Sequence, residues 1–183
     1  MERWDIYDEK RRPLGYTRAR SETLSEGEYH LIAFTLIFDR ENNLLLTLRA
    51  PDKLHYPNLW GNTGGAVQAG ETTRDAIVRE VFEETGIEAA PEDFLLLDTD
   101  FRSSRHSMTD VFLLVTDRPA AIRLQKGETV DAVWVTVEQA EKMMELGKVA
   151  APDAERWPEI KEKALPFLEE TLNKPSAAEQ RIF

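Results

Sequence analysis

Cysteine is absent from the 183 residues, which excludes disulfides, thiolate nucleophiles and thiolate metal sites. Basic charge is scarce: 23 Lys and Arg stand against 34 Asp and Glu, a formal net charge of −11. A long polyanion would be repelled by that balance, so nucleic acid is not an expected partner. A small phosphorylated molecule stays open, because a few local cations and a metal ion can offset the field. No apolar run approaches the roughly 20 residues of a membrane span. The N-terminal MERWDIYDEK has no apolar core of a signal peptide, so no membrane partner is expected and the cytoplasm is the expected compartment. What remains, 42% apolar and 31% charged residues, suits a globular chain able to bury a substantial core.

The hydropathy pattern divides the chain into short elements. Residues 4 to 17 read as a hairpin with apolar ends around a charged middle containing Pro13 and Gly15. Tyr29 to Phe38 is a nearly continuous apolar run of strand composition, and Leu44 to Leu48 follows it across an Asn42-Asn43 turn. Further strands are expected at Phe94–Leu97, Val111–Thr116 and Ala132–Val137, and helices at Glu138–Leu146 and Pro158–Leu172. Strands on both sides of a central helix, with more helices at the end, predict an α/β fold with a mixed sheet covered by helices. The expected organisation is one domain over residues 1–175, with residues 1–26 as a hairpin extension and 176–183 as a disordered tail.

The central helix carries the chemistry. Thr72 to Thr85 has Ala76, Ile77, Val81 and Phe82 at helical spacings, lacks Pro and Gly, and stops at Gly86. At about 100° per residue, Glu80, Glu83 and Glu84 fall within roughly a third of the circumference. Carboxylates crowded in this way repel and cost helix stability. A hard divalent cation, Mg²⁺ or Mn²⁺, reverses that balance because it prefers carboxylate oxygens. Arg79 is placed to pair with one of the acids and hold it. Gly64, Gly65 and Gly70 predict a tight loop leading into the helix. Taken alone, three glutamates would be a solvated acidic face.

The wider pattern argues against that bland reading. Gly65, five residues, Glu71, seven residues, then Arg79-Glu80-Val81-x-Glu83-Glu84-x-Gly86-Ile87 resembles an unbroken box of the Nudix hydrolases. These enzymes cleave a nucleoside diphosphate linked to another moiety. The resemblance implies the Nudix fold, an α/β/α sandwich, and a site in which Glu80 and Glu84 bind metal. Glu83 and the Gly64 carbonyl assist them there, and Glu71 orients the site. Asp5-Ile6-Tyr7-Asp8, Gly27-Glu28-Tyr29-His30, Arg49-Ala50 and Pro57-x-x-Trp60 look like a bacterial branch near isopentenyl diphosphate isomerase. That isomerase needs a cysteine just after its Trp-x-Asn segment, and Trp60-Gly61-Asn62-Thr63-Gly64-Gly65 supplies none.

The expected reaction is therefore hydrolysis at a diphosphate, with isomerase-like chemistry and a non-catalytic nucleotide-binding module as the rival readings. Within the box Glu83 is the chosen general base; Asp110 and Glu128 are the candidates outside it. Arg49, Lys53, Arg102 and Arg105 are candidate phosphate cations. His55 and His106 are candidate substrate contacts, whereas His30 reads as structural. Tyr56, Trp60 and Phe101 have the chemistry to stack on a base, although Trp60 reads first as core. Expected partners are a small nucleoside diphosphate derivative and, because dimers are common among Nudix proteins, a second copy of the chain.

Overall fold

The computed structural model describes residues 2–172; the tail expected to be disordered from Ser176 lies outside them. Fully buried Ile37, Phe38, Leu44, Leu45 and Leu46 show why the apolar runs are so dense. Their strands are covered on both faces, and each such side chain contributes about 1.5–3 kcal/mol by leaving water. Strand β3 (His30–Asp39) runs parallel to β8 (Ser107–Thr116) in a register that pairs His30 with Ser107 and Asp39 with Thr116. Strand β7 (Leu95–Arg102) pairs antiparallel with β8. On the other side, β4 (Leu44–Arg49) meets β3 only at Phe38–Leu44. It then pairs with β9 (Thr129–Val135) and with the two-residue β5 (Trp60–Gly61). Where β4 leaves β3, the short β6 (Thr63–Ala66) takes its place antiparallel to β3.

Alternate side chains go to opposite faces. Ile37, Leu45 and Phe112 join Ala76, Ile77 and Val81 of helix α1 (Thr73–Thr85) in one core. Phe38, Leu46 and Leu113 join Ala140 of α2 (Val137–Glu145) and Trp157, Ile160, Ala164 and Leu168 of α3 (Ala151–Leu172) in the other. This is the α/β/α sandwich with a mixed sheet, and a separate hairpin of β1 (Arg3–Tyr7) and β2 (Pro13–Ala19) precedes it.

Three expectations need correction. Gly64 and Gly65 lie in strand β6 rather than in a loop; their pairing partners, Phe34 and Ala33, are about thirty residues away, beyond any local pattern. Helix α3 begins at Ala151, seven residues before the expected Pro158, and holds Pro158 and Pro166 inside it. Both prolines are exposed, so neither ring has to be fitted into the core. Strands β7 and β8 are longer than their apolar cores, because buried Thr109 and Asp110 extend β8.

The hairpin is tied down rather than free. Arg11 grips Asp110 through two bonds of 2.6 Å, across 99 residues of sequence. Trp4 stacks on His30 at 4.0 Å between centroids, and Asp5 accepts the Gly70 N–H at 2.7 Å.

Candidate active site

Helix α1 starts with a reciprocal cap. Thr72 accepts the Asp75 N–H at 3.1 Å, and Asp75 accepts the Thr72 N–H at 3.0 Å. It ends at Gly86, whose φ of 72° only glycine adopts without cost. Between these stops the helix lies against β6, so Glu80 and Glu84, one turn apart, sit beside Gly65 and Gly64. A Cβ on Gly65 would come within 2.6 Å of the Glu80 carboxyl carbon, and one on Gly64 within 2.8 Å of the Phe34 Cα. Gly65 is needed for Glu80 to reach the sheet, and Gly64 for β6 to pack against Ala33 and Phe34 of β3. Phe82, expected on the apolar stripe, is 41% exposed and instead carries the Arg123 guanidinium 4.9 Å from its ring centre.

Arg79 organises the acids. Its guanidinium donates to Glu71 at 2.8 and 2.9 Å and to Glu80 at 2.7 Å, and approaches Glu83 at 3.4 Å. The bonds from Arg79 hold the Glu71 carboxyl below its usual range. Glu80 is pushed the other way, because burial outweighs its bond from Arg79. Glu84 differs most. It is only 6% exposed and makes no ion pair among the described residues. Burial, with the neighbouring Glu80 charge, pushes its carboxyl up to about 8. Glu80 and Glu84 are thus turned away from solvent, whereas Glu83 is exposed. Among the described residues no three acidic or histidine side chains converge closely enough to hold an ion as they stand. The reason is visible: Arg79 engages oxygens of Glu71 and Glu80, and Glu84 is folded inward.

A cavity of about 160 Å³ opens beside Glu84 and Gly64. Three of the four candidate cations, Arg49, Arg102 and Arg105, line it. Arg102 is held by Asp100 at 2.6 Å. Arg49 donates to the His55 carbonyl at 3.1 Å and Arg105 to the Tyr56 hydroxyl at 3.3 Å, and neither has an acid partner among the described residues. Lys53 does not line the cavity and pairs with Glu128. Tyr56 is on the cavity wall. Trp60 packs against the α2/α3 core, and Phe101 lies 4.9 Å from Tyr29. His30 is stacked and half-buried, its pKa lowered to about 4 mainly by loss of solvent around the ring. His106 faces the Glu28 carbonyl at 3.0 Å, and His55 is exposed.

Asp110 is removed from the candidate bases. Its oxygens accept from Arg11 twice, from Thr73 at 2.6 Å and from Thr99 at 2.8 Å. Burial raises its pKa, but those bonds outweigh burial and hold it below the usual carboxylate range. Glu128 remains near enough for its charge to raise Glu84.

The rest of the cavity has no signature in the sequence. Asn62, Thr129, Asp153 and Arg156 line it. Asn62 donates its side-chain amide to Asp153 at 3.2 Å and its backbone N–H at 3.3 Å, over a separation of 91 residues. Burial pushes the Asp153 carboxyl up to about 6 against those bonds. Starting α3 at Pro158 hid Asp153 and Arg156; an earlier helix would have put them one turn apart on a shared face.

A family model described as NUDIX domain matches residues 28–157. An uncharacterized Nudix hydrolase of Listeria monocytogenes is 35% identical over 153 residues, covering 81% of this chain and 88% of that protein. Isopentenyl-diphosphate Delta-isomerase of Escherichia coli is 26% identical over 129 residues, 67% of this chain and 70% of the isomerase. Among solved structures, the NUDIX domain of Shewanella oneidensis NrtR, complexed with ADP ribose, superposes with a TM-score of 0.60 at 19% identity, covering 82% of this chain and 94% of that one. The complete box and a match across most of the chain agree: the protein belongs to the Nudix hydrolase family.

Proposed function

We propose that this Nudix hydrolase cleaves the diphosphate linkage of a nucleoside diphosphate joined to a second moiety, such as a nucleotide sugar, ADP-ribose or a nucleoside triphosphate, and that it does so with a divalent cation. The observation that carries the reading is that Glu84, one helical turn from Glu80, lines a cavity bordered by Arg49 and Arg105, two arginines without acid partners among the described residues. The ADP-ribose held by the Shewanella domain supports the substrate class.

The donor set fits Mg²⁺ or Mn²⁺, being carboxylate oxygens of Glu80, Glu84 and Glu83 with the Gly64 carbonyl beside them. Such an ion, when bound, lowers the pKa of a water and neutralises phosphate charge. The side chains supply the remainder. Arg79 releases Glu80 while keeping its two bonds to Glu71, so the helix acids stay oriented. Arg49 and Arg105 bind the non-bridging phosphate oxygens and keep the linkage beside the acids. Water oxygen bonds to one phosphorus, the bridging P–O bond breaks, and Glu83 accepts the water proton. Two phosphate-bearing products leave. Glu83 suits that role because it is exposed and only loosely paired, whereas Asp110 is saturated.

Incubation with Mg²⁺ or Mn²⁺ and a panel of diphosphate compounds tests the reading. Phosphate-containing products are the expected result. A shifted double bond in isopentenyl diphosphate, or saturable binding without turnover, would replace it with one of the two rivals.

A further inference from the structure

The turn that presents Glu71 has little apolar contact to hold it. Gln68, Ala69 and Gly70 are all exposed, and Gly70 sits at a φ of 87° with open space where a Cβ would stand. The turn closes on itself by only two bonds. The Glu71 N–H donates to the Gln68 carbonyl at 3.0 Å, and the Gln68 N–H donates to the Glu71 carboxylate at 2.9 Å. Further restraint comes from strand β1, outside the box. The Arg3 carbonyl accepts the Ala69 N–H at 2.8 Å, and the Asp5 carboxylate accepts the Gly70 N–H at 2.7 Å. A bond to an ionised acceptor is roughly twice as strong as one between neutral groups.

The strand that reaches across is itself firmly seated. Ile6 is fully buried, Tyr7 and Tyr29 exchange backbone bonds at 2.8 and 2.9 Å, and Trp4 stacks on His30. The two acids that flank Ile6 and Tyr7 behave differently. Asp8 serves its own hairpin, accepting from the Lys10 and Arg12 N–H groups and from the Arg12 side chain. Asp5 reaches outward to the residue next to Glu71. From there the connection runs to the metal-site acids: Glu71 takes the Arg79 fork at 2.8 and 2.9 Å, and Arg79 holds Glu80 at 2.7 Å. A turn that drifts would carry Glu71 and Arg79 with it and misplace Glu80. We propose that Asp5 is a positioning residue of the metal site, fixing the Gly70 turn and, through Glu71 and Arg79, the stance of Glu80. The inference rests on the hydrolase reading for what the α1 acids bind.

Mn²⁺ alone, titrated calorimetrically into the full chain without substrate, tests it. Asp5→Ala is expected to weaken uptake about tenfold, the low end for groups that orient a metal ligand. Asp5→Asn keeps an oxygen acceptor without the charge, so it restores affinity to within about threefold of wild type. In a Glu71→Gln background, Asp5→Ala is expected to change uptake by less than about twofold, because two groups on one route do not add. Should Asp5→Ala not fold, the loss of about threefold in Asp5→Asn, and its disappearance in the Glu71→Gln background, carry the same test. A lowered melting temperature with unchanged Mn²⁺ affinity overturns the proposal, as does an Asp5 effect of equal size in both backgrounds. Product release from the diphosphate panel separates the two readings. Hydrolysis by the wild type with uptake indifferent to Asp5 sinks the positioning role and leaves the hydrolase. Uptake that depends on Asp5 and Glu71 together, without turnover, does the reverse, and a wild type that takes up no Mn²⁺ overturns both.

Discussion

Two buried acids, one on β8 and one on α1, show how differently a sheet and a site treat the same chemical group. Asp110 is 3% exposed and Glu84 is 6% exposed, yet their surroundings oppose each other. Asp110 is enclosed by Arg11, Thr73 and Thr99, and those partners keep it ionised despite burial. Glu84 is pushed up to about 8, first by burial and then by the neighbouring Glu80 carboxylate, with the Arg49 charge and a backbone bond at Gly64 only partly opposing them. A fully partnered acid holds a fold together. One that makes no ion pair among the described residues, beside a cavity, has capacity to spare for a ligand.

The sharpest way to break the comparison is substitution of the two acids. Glu84→Gln is expected to lower turnover by more than about a hundredfold, beyond the loss typical of groups that only support a metal ligand, with the melting temperature retained. Product release from the substrate panel measures it, and full activity would show that Glu84 is not part of the site. Arg79→Lys sharpens the contrast from the other side. Lysine cannot reproduce the fork on Glu71 and Glu80, so a loss of about 10- to 100-fold in kcat/KM is expected with little change in stability. Asp110→Asn should invert the pattern. It leaves Arg11 without its counter-charge and is expected to cost about 2 kcal/mol in chemical denaturation, at the modest end for a broken ion pair because Arg11 is about a third exposed.

The smallest effect is on pH dependence. The folded-state pKa of Asp110 is depressed, so the unfolded chain takes up the proton first as pH falls. Its contribution is complete above the unfolded value near ~3.9 and drains away as pH drops through the folded value. Denaturation midpoints of the wild type should fall across that window, and Asp110→Asn should flatten the decline. Parallel curves would show that Asp110 is not the group responsible.

The α1 half of the site was legible from sequence because everything it needs is local: a cap at Thr72, a stop at Gly86, and acids one turn apart. The direction of Glu84 was not, since its burial comes from β6, and Thr63–Ala66 looks like a loop until β3 lies beside it. The cavity wall was less legible still. Asn62 and Asp153 are joined by hydrogen bonds across 91 residues, and Pro158 looks like a helix boundary although its exposed face makes it tolerable inside one. The surroundings of Asp110, a candidate base outside the box, were hidden for a related reason: the arginine that pairs with it arrives from the N-terminal hairpin, 99 residues away.

That clasp between Arg11 and Asp110 has a bearing on where the chain tolerates trimming. Residues 2 to 19 look like a decoration that could be cut away, since the family match starts only at residue 28. Deleting them would strip the guanidinium from a carboxylate sealed inside the sandwich, beneath the first turn of the helix that bears the acids. A shortened version would inherit a stranded charge at its centre, so the opening segment serves as a keystone.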